Sequence, residues 1–348
     1  MNVTVTDTTA ASYLAVYPTG ALQPLASNLN WVPGETIPNL VEVGLGSNGQ
    51  VSVYNAAGEV DVIFDVAGYV APNAPAGQGL YNPLVPARVM DTRSNGIPLG
   101  AGSTRTLQVT GNGGVPTNGA AAVVLNVTVT NASRPSYLTV YPSDLSQPVV
   151  SNLNFVAGQT IANRVIVRVS ATGLLNFYNA AGNVDVIADV GGWFTDSNNA
   201  AASGSTFIPL TPSRVLDTRT GAGGFPISPL GPAQSIAVPV AGRGGVPAMT
   251  DPAPPNAVVA NVTVTNTTSP SYLTLWPDGA SQPLASDLNW VASGTIPNLV
   301  VVKLGGSGAV DLFNAAGCAD VILDVVGYYT GPPVPVASTA ITAVPSCA

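Results

Sequence analysis

Three observations predict an all-β protein made of tandem β-sandwich-like repeat domains. Apolar and polar residues alternate over short runs bounded by Gly, Pro and Asn, no segment sustains a helical period, and one block of sequence recurs three times. The 348 residues include 37 Gly and 31 Pro; 46% are hydrophobic and only 8% charged. Such a chain can bury more than one core and favours short strands joined by turns.

Residues 2–69, 126–193 and 261–328 align without a gap, each opening on NVTVT and ending on an aromatic. We call this block the N unit. In its second copy AVVLNVTVT, SYLTVYP, SNLNFV, NRVIVRVS, LLNFYNAAG and VDVIADVGGWF read as six half-buried strands. Between the copies lie two examples of a D unit, YNPLVPARVMDTR through GNGGVP (81–116) and FIPLTPSRVLDTR through GRGGVP (207–247). Each adds two or three strands. Its glycine-rich end reads as a turn, because it lacks the lysine and following helix of a phosphate loop. A D unit plus the N unit after it has the size of a sandwich domain, whereas propeller blades fit three long two-part units poorly.

The predicted division is 1–72, an N unit with no D unit before it; 79–195 and 205–330, each a D plus N domain; and 331–348, an extended Pro-rich tail. The first unit is expected to lack strands and to leave an edge open to another chain. Three accounts of it stand side by side: the chain is a piece of a longer array, the N unit is complete alone, or another subunit fills the gap. In the tail, STAITAV reads as a strand that either caps its own domain or is donated to a neighbour.

Composition excludes several functions. The formal charge is −8, from 18 acidic and 10 basic residues, with Lys303 the one lysine and nine scattered arginines, so no basic stripe invites nucleic acid. No run of ~18 apolar residues predicts membrane insertion. MNVTVTDTTA lacks the basic start and apolar run of a signal peptide. With no histidine the commonest general base and metal ligand is missing, and no Ser-His-Asp triad can be built. No catalytic residue, metal site or cofactor is predicted. Cys318 and Cys347 read as one disulfide formed in an oxidising compartment.

The recurrent charges are more informative. VDVIFDVAGY, VDVIADVGGW and ADVILDVVGY each keep two aspartates four positions apart: Asp61 and Asp65, Asp185 and Asp189, Asp320 and Asp324. Alternation puts each pair on one strand face, ~13 Å apart, too far for a glycosidase pair. The D units bring Arg88, Asp91 and Arg93, or Arg214, Asp217 and Arg219. Because a buried carboxylate needs a partner and guanidinium offers a planar fork, these arginines are expected to neutralise the aspartates of the neighbouring N unit. Asp61 and Asp65 then lack their arginines. The bland alternative is a solvated sheet face.

Asparagine also recurs, as Asn30, Asn154 and Asn289, as Asn39, Asn163 and Asn298, and as Asn55, Asn179 and Asn314. Turn-holding or an internal polar ladder is the favoured reading; calcium binding lacks the dense run of Asp, Asn and Gly that calcium loops use. The NVT sequons at Asn2, Asn126 and Asn261 fall inside strands and read as strand-face residues. Tyr13, Tyr17, Tyr137, Tyr141, Tyr272 and Trp276 could stack on sugars if exposed in a row, although cross-strand packing is the commoner use of such residues.

The motifs PSRVLDTR, GRGGVP, NVTVT, YLTVYP, SNLN and DVIADVGGWF together resemble the tandem β-rich repeats of secreted and cell-surface proteins of actinobacteria and neighbouring phyla, which often stand beside wall hydrolases or proteases. The resemblance covers nearly all of the chain before the tail. It implies an extracellular accessory or structural region and carries over no catalytic residue. The expectation is a non-enzymatic structural protein of a bacterial surface, polymerising with copies of itself through its first and last repeats as a filament, sheath or adhesive stalk. The alternative is a module binding cell-wall or other polysaccharide.

Overall fold

The computed structural model describes residues 1–71, 77–197, 204–331 and 347. All of its sheets are antiparallel. The first N unit contains β1 (Asn2–Thr6), β2 (Ser12–Pro18), β3 (Leu29–Trp31), β4 (Ile37–Leu40), β5 (Val51–Asn55) and β6 (Asp61–Asp65). These form two three-stranded sheets, ordered β4-β1-β6 and β3-β2-β5.

The first D unit supplies β7 (Tyr81–Asp91) and β8 (Ser103–Gln108). The second N unit follows with β9 (Ala120–Thr130), β10 (Ser136–Pro142), β11 (Leu153–Phe155), β12 (Ile161–Arg168), β13 (Leu174–Asn179) and β14 (Asp185–Thr195). The second D unit gives β15 (Thr206–Asp217) and β16 (Gln234–Pro239). The third N unit gives β17 (Pro255–Thr265), β18 (Ser271–Pro277), β19 (Leu288–Trp290), β20 (Ile296–Lys303), β21 (Ala309–Asn314) and β22 (Asp320–Thr330).

Each D unit adds one outer strand to both sheets of the N unit after it. The sheets are β12-β9-β14-β7 with β11-β10-β13-β8, and β20-β17-β22-β15 with β19-β18-β21-β16. Pro83 and Pro86 in β7, and Pro209 and Pro212 in β15, fit this placement, because only an edge strand tolerates a missing backbone donor.

Alternation along the strands builds the cores. In the second unit Val123, Leu125, Val127 and Val129 of β9 and Val186, Ala188 and Val190 of β14 pack with Leu138, Leu175 and Phe177 of the opposing sheet. The D unit adds Leu99, Val109 and Val115 to that core. Its GNGGVP turn lies directly on the sandwich: Gly113 has φ 59°, and a Cβ there would come within 2.6 Å of Val190 and 2.8 Å of Val89. Glycine alone supplies both that conformation and that closeness.

A further apolar cluster belongs to no single sandwich. Leu40, Tyr81, Val124, Val259, Leu299, Val301, Val326 and Tyr329, from all three units, pack together with Phe194 and Phe207. The three N units therefore gather around a common centre. The expected tail strand STAITAV lies outside the described residues; Cys347 is bonded to Cys318 in the loop before β22.

Candidate functional site

The aspartates of β14 and β22 are held by the D-unit motif. Arg88 Nε and Nη2 donate to Asp189 Oδ1 and Oδ2 at 2.8 and 3.2 Å, and Nη1 reaches Asp91 Oδ2 at 3.3 Å. Arg214 repeats this on Asp324 at 2.8 and 3.0 Å and on Asp217 at 3.1 Å. Planar forks of this kind are the strong form of charge-assisted hydrogen bond. Asp189 and Asp324 are each 1% exposed. Burial pushes both carboxyls above their usual range, against the pull of the arginine beside each.

The second arginine of the motif differs from expectation. Arg93 forks onto Asp91 of its own turn, at 2.9 and 2.7 Å, and Arg219 does the same on Asp217 at 2.9 and 2.8 Å. The hydrogen bonds from these arginines hold Asp91 and Asp217 below the usual carboxylate range. Asp185 and Asp320 are instead satisfied by neutral donors. Thr92 and Thr218 hydroxyls donate at 2.8 and 2.7 Å, and Asn131 and Asn266 amides at 2.9 Å each. The same threonine hydroxyls accept from the amides of Val186 and Val321. RVxDTR is thus a clasp: arginine holds one aspartate, threonine the other, and the Asp–Arg pair closes the turn between them.

In unit 1 nothing occupies the clasp's position among the described residues. Asp61 is exposed and Asp65 partly so, and neither makes an ion pair. Burial alone raises the Asp65 carboxyl.

Asparagine joins the units. Asn39 donates to the carbonyl of Asn28 in its own unit and to Asn261 Oδ1 of the third, while its own Oδ1 accepts from the Leu299 amide. Asn163 stands likewise between Asn152, Asn2 and Leu40, and Asn298 between Asp287, Asn126 and Arg164. Asn2, Asn126 and Asn261 complete the pattern by donating to the carbonyls of Ser151, Ser286 and Ser27. Unit 1 bonds to unit 3, unit 3 to unit 2 and unit 2 to unit 1, so the cycle closes with pseudo-threefold symmetry. Edge amides of β4, β12 and β20, which would otherwise be buried without acceptors, are satisfied by side chains of the next unit. All six asparagines are buried, so the NVT sequons offer no accessible amide.

Three central residues depart from this symmetry. Arg164 stands where the other copies have Leu40 and Leu299, and Asp287 where they have Asn28 and Asn152. Arg164 Nη2 donates to Asp287 Oδ1 at 2.6 Å, with side chains only 3% and 4% exposed. Glu42, aligned with Ile166 and Val301, is pushed up to about 7 by burial. The buried Tyr329 hydroxyl lies beside this carboxyl and draws its pKa part of the way back down.

The remaining asparagines are local. Asn30, Asn154 and Asn289 accept from serines three residues earlier. Asn179 and Asn314 each donate to D-unit carbonyls, at Leu99 and Gly100 or Leu230 and Gly231. Among the described residues no group of three or more His, Cys, Asp or Glu could hold a metal ion, and no helix is long and apolar enough to cross a membrane.

The aromatics mostly pack. Tyr141 is 7% and Trp276 2% exposed, so neither presents a ring face to solvent; Trp31, Phe155 and Trp290 are buried too. Tyr13, Tyr137 and Tyr272 lie at the surface beside Tyr54, Tyr178 and Phe313, with ring centroids 5.9, 6.2 and 6.2 Å apart, and Tyr17 is half-buried. No continuous stacking row forms.

No family model and no curated protein matches the chain. Among solved structures, the triple jelly roll protein of an archaeal virus is 9% identical, with a TM-score of 0.19 and coverage of 97% of this chain and 80% of that one. A Sulfolobus turreted icosahedral virus structure gives 10%, 0.18, 95% and 79%. The crystal structure of the STIV MCP gives 9%, 0.18, 72% and 97%. Likeness at this level carries no argument about function.

Proposed function

We propose that this protein is a non-enzymatic structural subunit of a bacterial surface that joins its neighbours through the open side of unit 1. The supporting observation is the contrast between three sandwiches gathered around one centre and a single unit whose outer sheet edges no described strand covers. In the second and third domains the recurring charges are committed to holding the D-unit strands in place, as a scaffold requires. The resemblance of the repeats to those of secreted actinobacterial proteins and the disulfide both support an extracellular setting.

Assembly with copies of itself, as a filament, sheath or stalk, follows if the contact is heterologous and does not close. Light scattering on the purified, oxidised chain tests this directly. Masses that grow with concentration support the reading, and a monomer at every concentration refutes it. A polysaccharide-binding module is the weaker alternative, because Tyr141 and Trp276 are buried.

A further inference from the structure

Unit 1 presents one half of a joint whose complete form occurs twice in the same chain. On β14 and β22 the core-facing Ala188, Val190, Leu323 and Val325 are fully buried beneath the D unit, while their unit 1 counterparts Phe64 and Val66 are 39% and 77% exposed. On the other sheet Val53 is 42% exposed where Phe177 and Leu312 are 0%. Asn55 donates to Gly58 of its own turn, whereas Asn179 and Asn314 also reach D-unit carbonyls. Among the described residues no strand stands on either sheet at the positions that β7 and β8 fill in unit 2.

The charges on this edge match the apolar faces. Asp61 and Asp65 stand where Asp185 and Asp189 receive Thr92 and Arg88. Asp7 replaces Asn131 and Asn266 beside the first aspartate, so the uncovered edge carries a third carboxylate where the filled ones carry amides. An edge of this composition favours a cationic strand over a neutral one.

We propose that the open side of unit 1 is the docking site for a D-type segment: a strand with Arg three residues before an Asp-Thr-Arg turn, followed by a second strand. This rests on the reading of unit 1 as a joint and says what fills it; among the described residues β7–β8 and β15–β16 are each paired with their own N unit, so the occupant is a D-type segment other than these two. The arginine forks onto Asp65 and the threonine hydroxyl binds Asp61. Side chains matching Leu84, Ala87 and Val89 cover Phe64 and Val66. The mode is strand addition to both sheets at once, with main-chain pairing for affinity and the clasp for register.

The test uses the full chain and a synthetic peptide of residues 79–116. Titration is expected to show one peptide bound per chain, with affinity falling about tenfold on Arg88→Ala in the peptide or Asp65→Asn in the chain, the loss of one charge-assisted fork. The two changes together should cost little more than either alone. A second arm joins the same segment ahead of Met1 and follows amide exchange along β6; slower exchange at 62–66 supports the site even where the free peptide binds too weakly to titrate. Absence of binding together with unchanged exchange overturns the proposal, as does binding that neither substitution weakens. A chain that binds the peptide yet stays monomeric upholds this site and removes the homopolymer.

Discussion

The buried Arg164–Asp287 pair should be worth far more as a pair than either residue is alone, and the chain supplies its own control. Arg164→Leu installs the side chain present at Leu40 and Leu299, and leaves Asp287 Oδ1 in the interior without its cation. Asp287 Oδ2 still accepts from the Leu275 amide at 2.7 Å, so the loss falls on the uncompensated charge. Breaking such a pair costs about 3–5 kcal/mol. Asp287→Asn alone leaves Arg164 buried and is expected to cost about as much. The double variant recreates the Leu–Asn combination of the other two interfaces and should return to within about 1 kcal/mol of the parent, because replacing a buried pair wholesale is near neutral. Urea unfolding of the four proteins gives the coupling energy as a double-mutant cycle. Additive effects, or a single variant as stable as the double, would refute the claim that this contact discriminates one unit interface from the other two.

The two arginines of each clasp should behave differently: Arg88→Ala, which strands buried Asp189, is expected to lose about 3 kcal/mol, and Arg93→Ala, whose side chain is 46% exposed, under about 1 kcal/mol in the same unfolding assay. Stability should peak on the acid side of neutrality. Glu42 is raised to about 7 and Asp311 to about 6, so the folded state holds protons that the unfolded chain releases, and stability falls as pH rises through that window, by about 3 kcal/mol for Glu42. Asp91 and Asp217 are depressed, so their contribution disappears below about pH 4 as they protonate. Glu42→Val, the residue type of Val301, should remove most of the decline between pH 5 and pH 7 in melting curves; an unchanged pH profile would show that Glu42 does not cause it.

The strands were legible because short apolar runs are bounded by Gly, Pro and Asn. That β9, β14 and β22 are buried on both faces, and are not the half-buried strands expected, was not legible, because their second face packs against the other units. The partnership of Arg88 with Asp189 was legible from chemistry, since a repeated buried carboxylate calls for a repeated cation. Thr92 and Thr218 were missed because a hydroxyl leaves no periodic or charge signal to distinguish it from a turn residue. The asparagine cycle was visible only as repetition. Asn39 and Asn261 are 222 positions apart, and no local pattern states that three units close on each other. Arg164, Asp287 and Glu42 were available to a reading that asked where the three copies differ instead of where they agree. A residue that departs from its two counterparts marks where pseudo-symmetry is broken, and in this protein those departures sit at the centre.

The role assigned to unit 1 is tested most directly by the mass of the oxidised chain in solution, measured by light scattering across a concentration series, with Phe64→Asp/Val66→Asp as the comparison. Those two side chains are exposed on the open side, so the double variant should fold as the parent does. The account predicts that the parent exceeds the 34.9 kDa of a single chain and that the variant returns to it. A parent that is monomeric throughout, or a variant that assembles equally well, would contradict it.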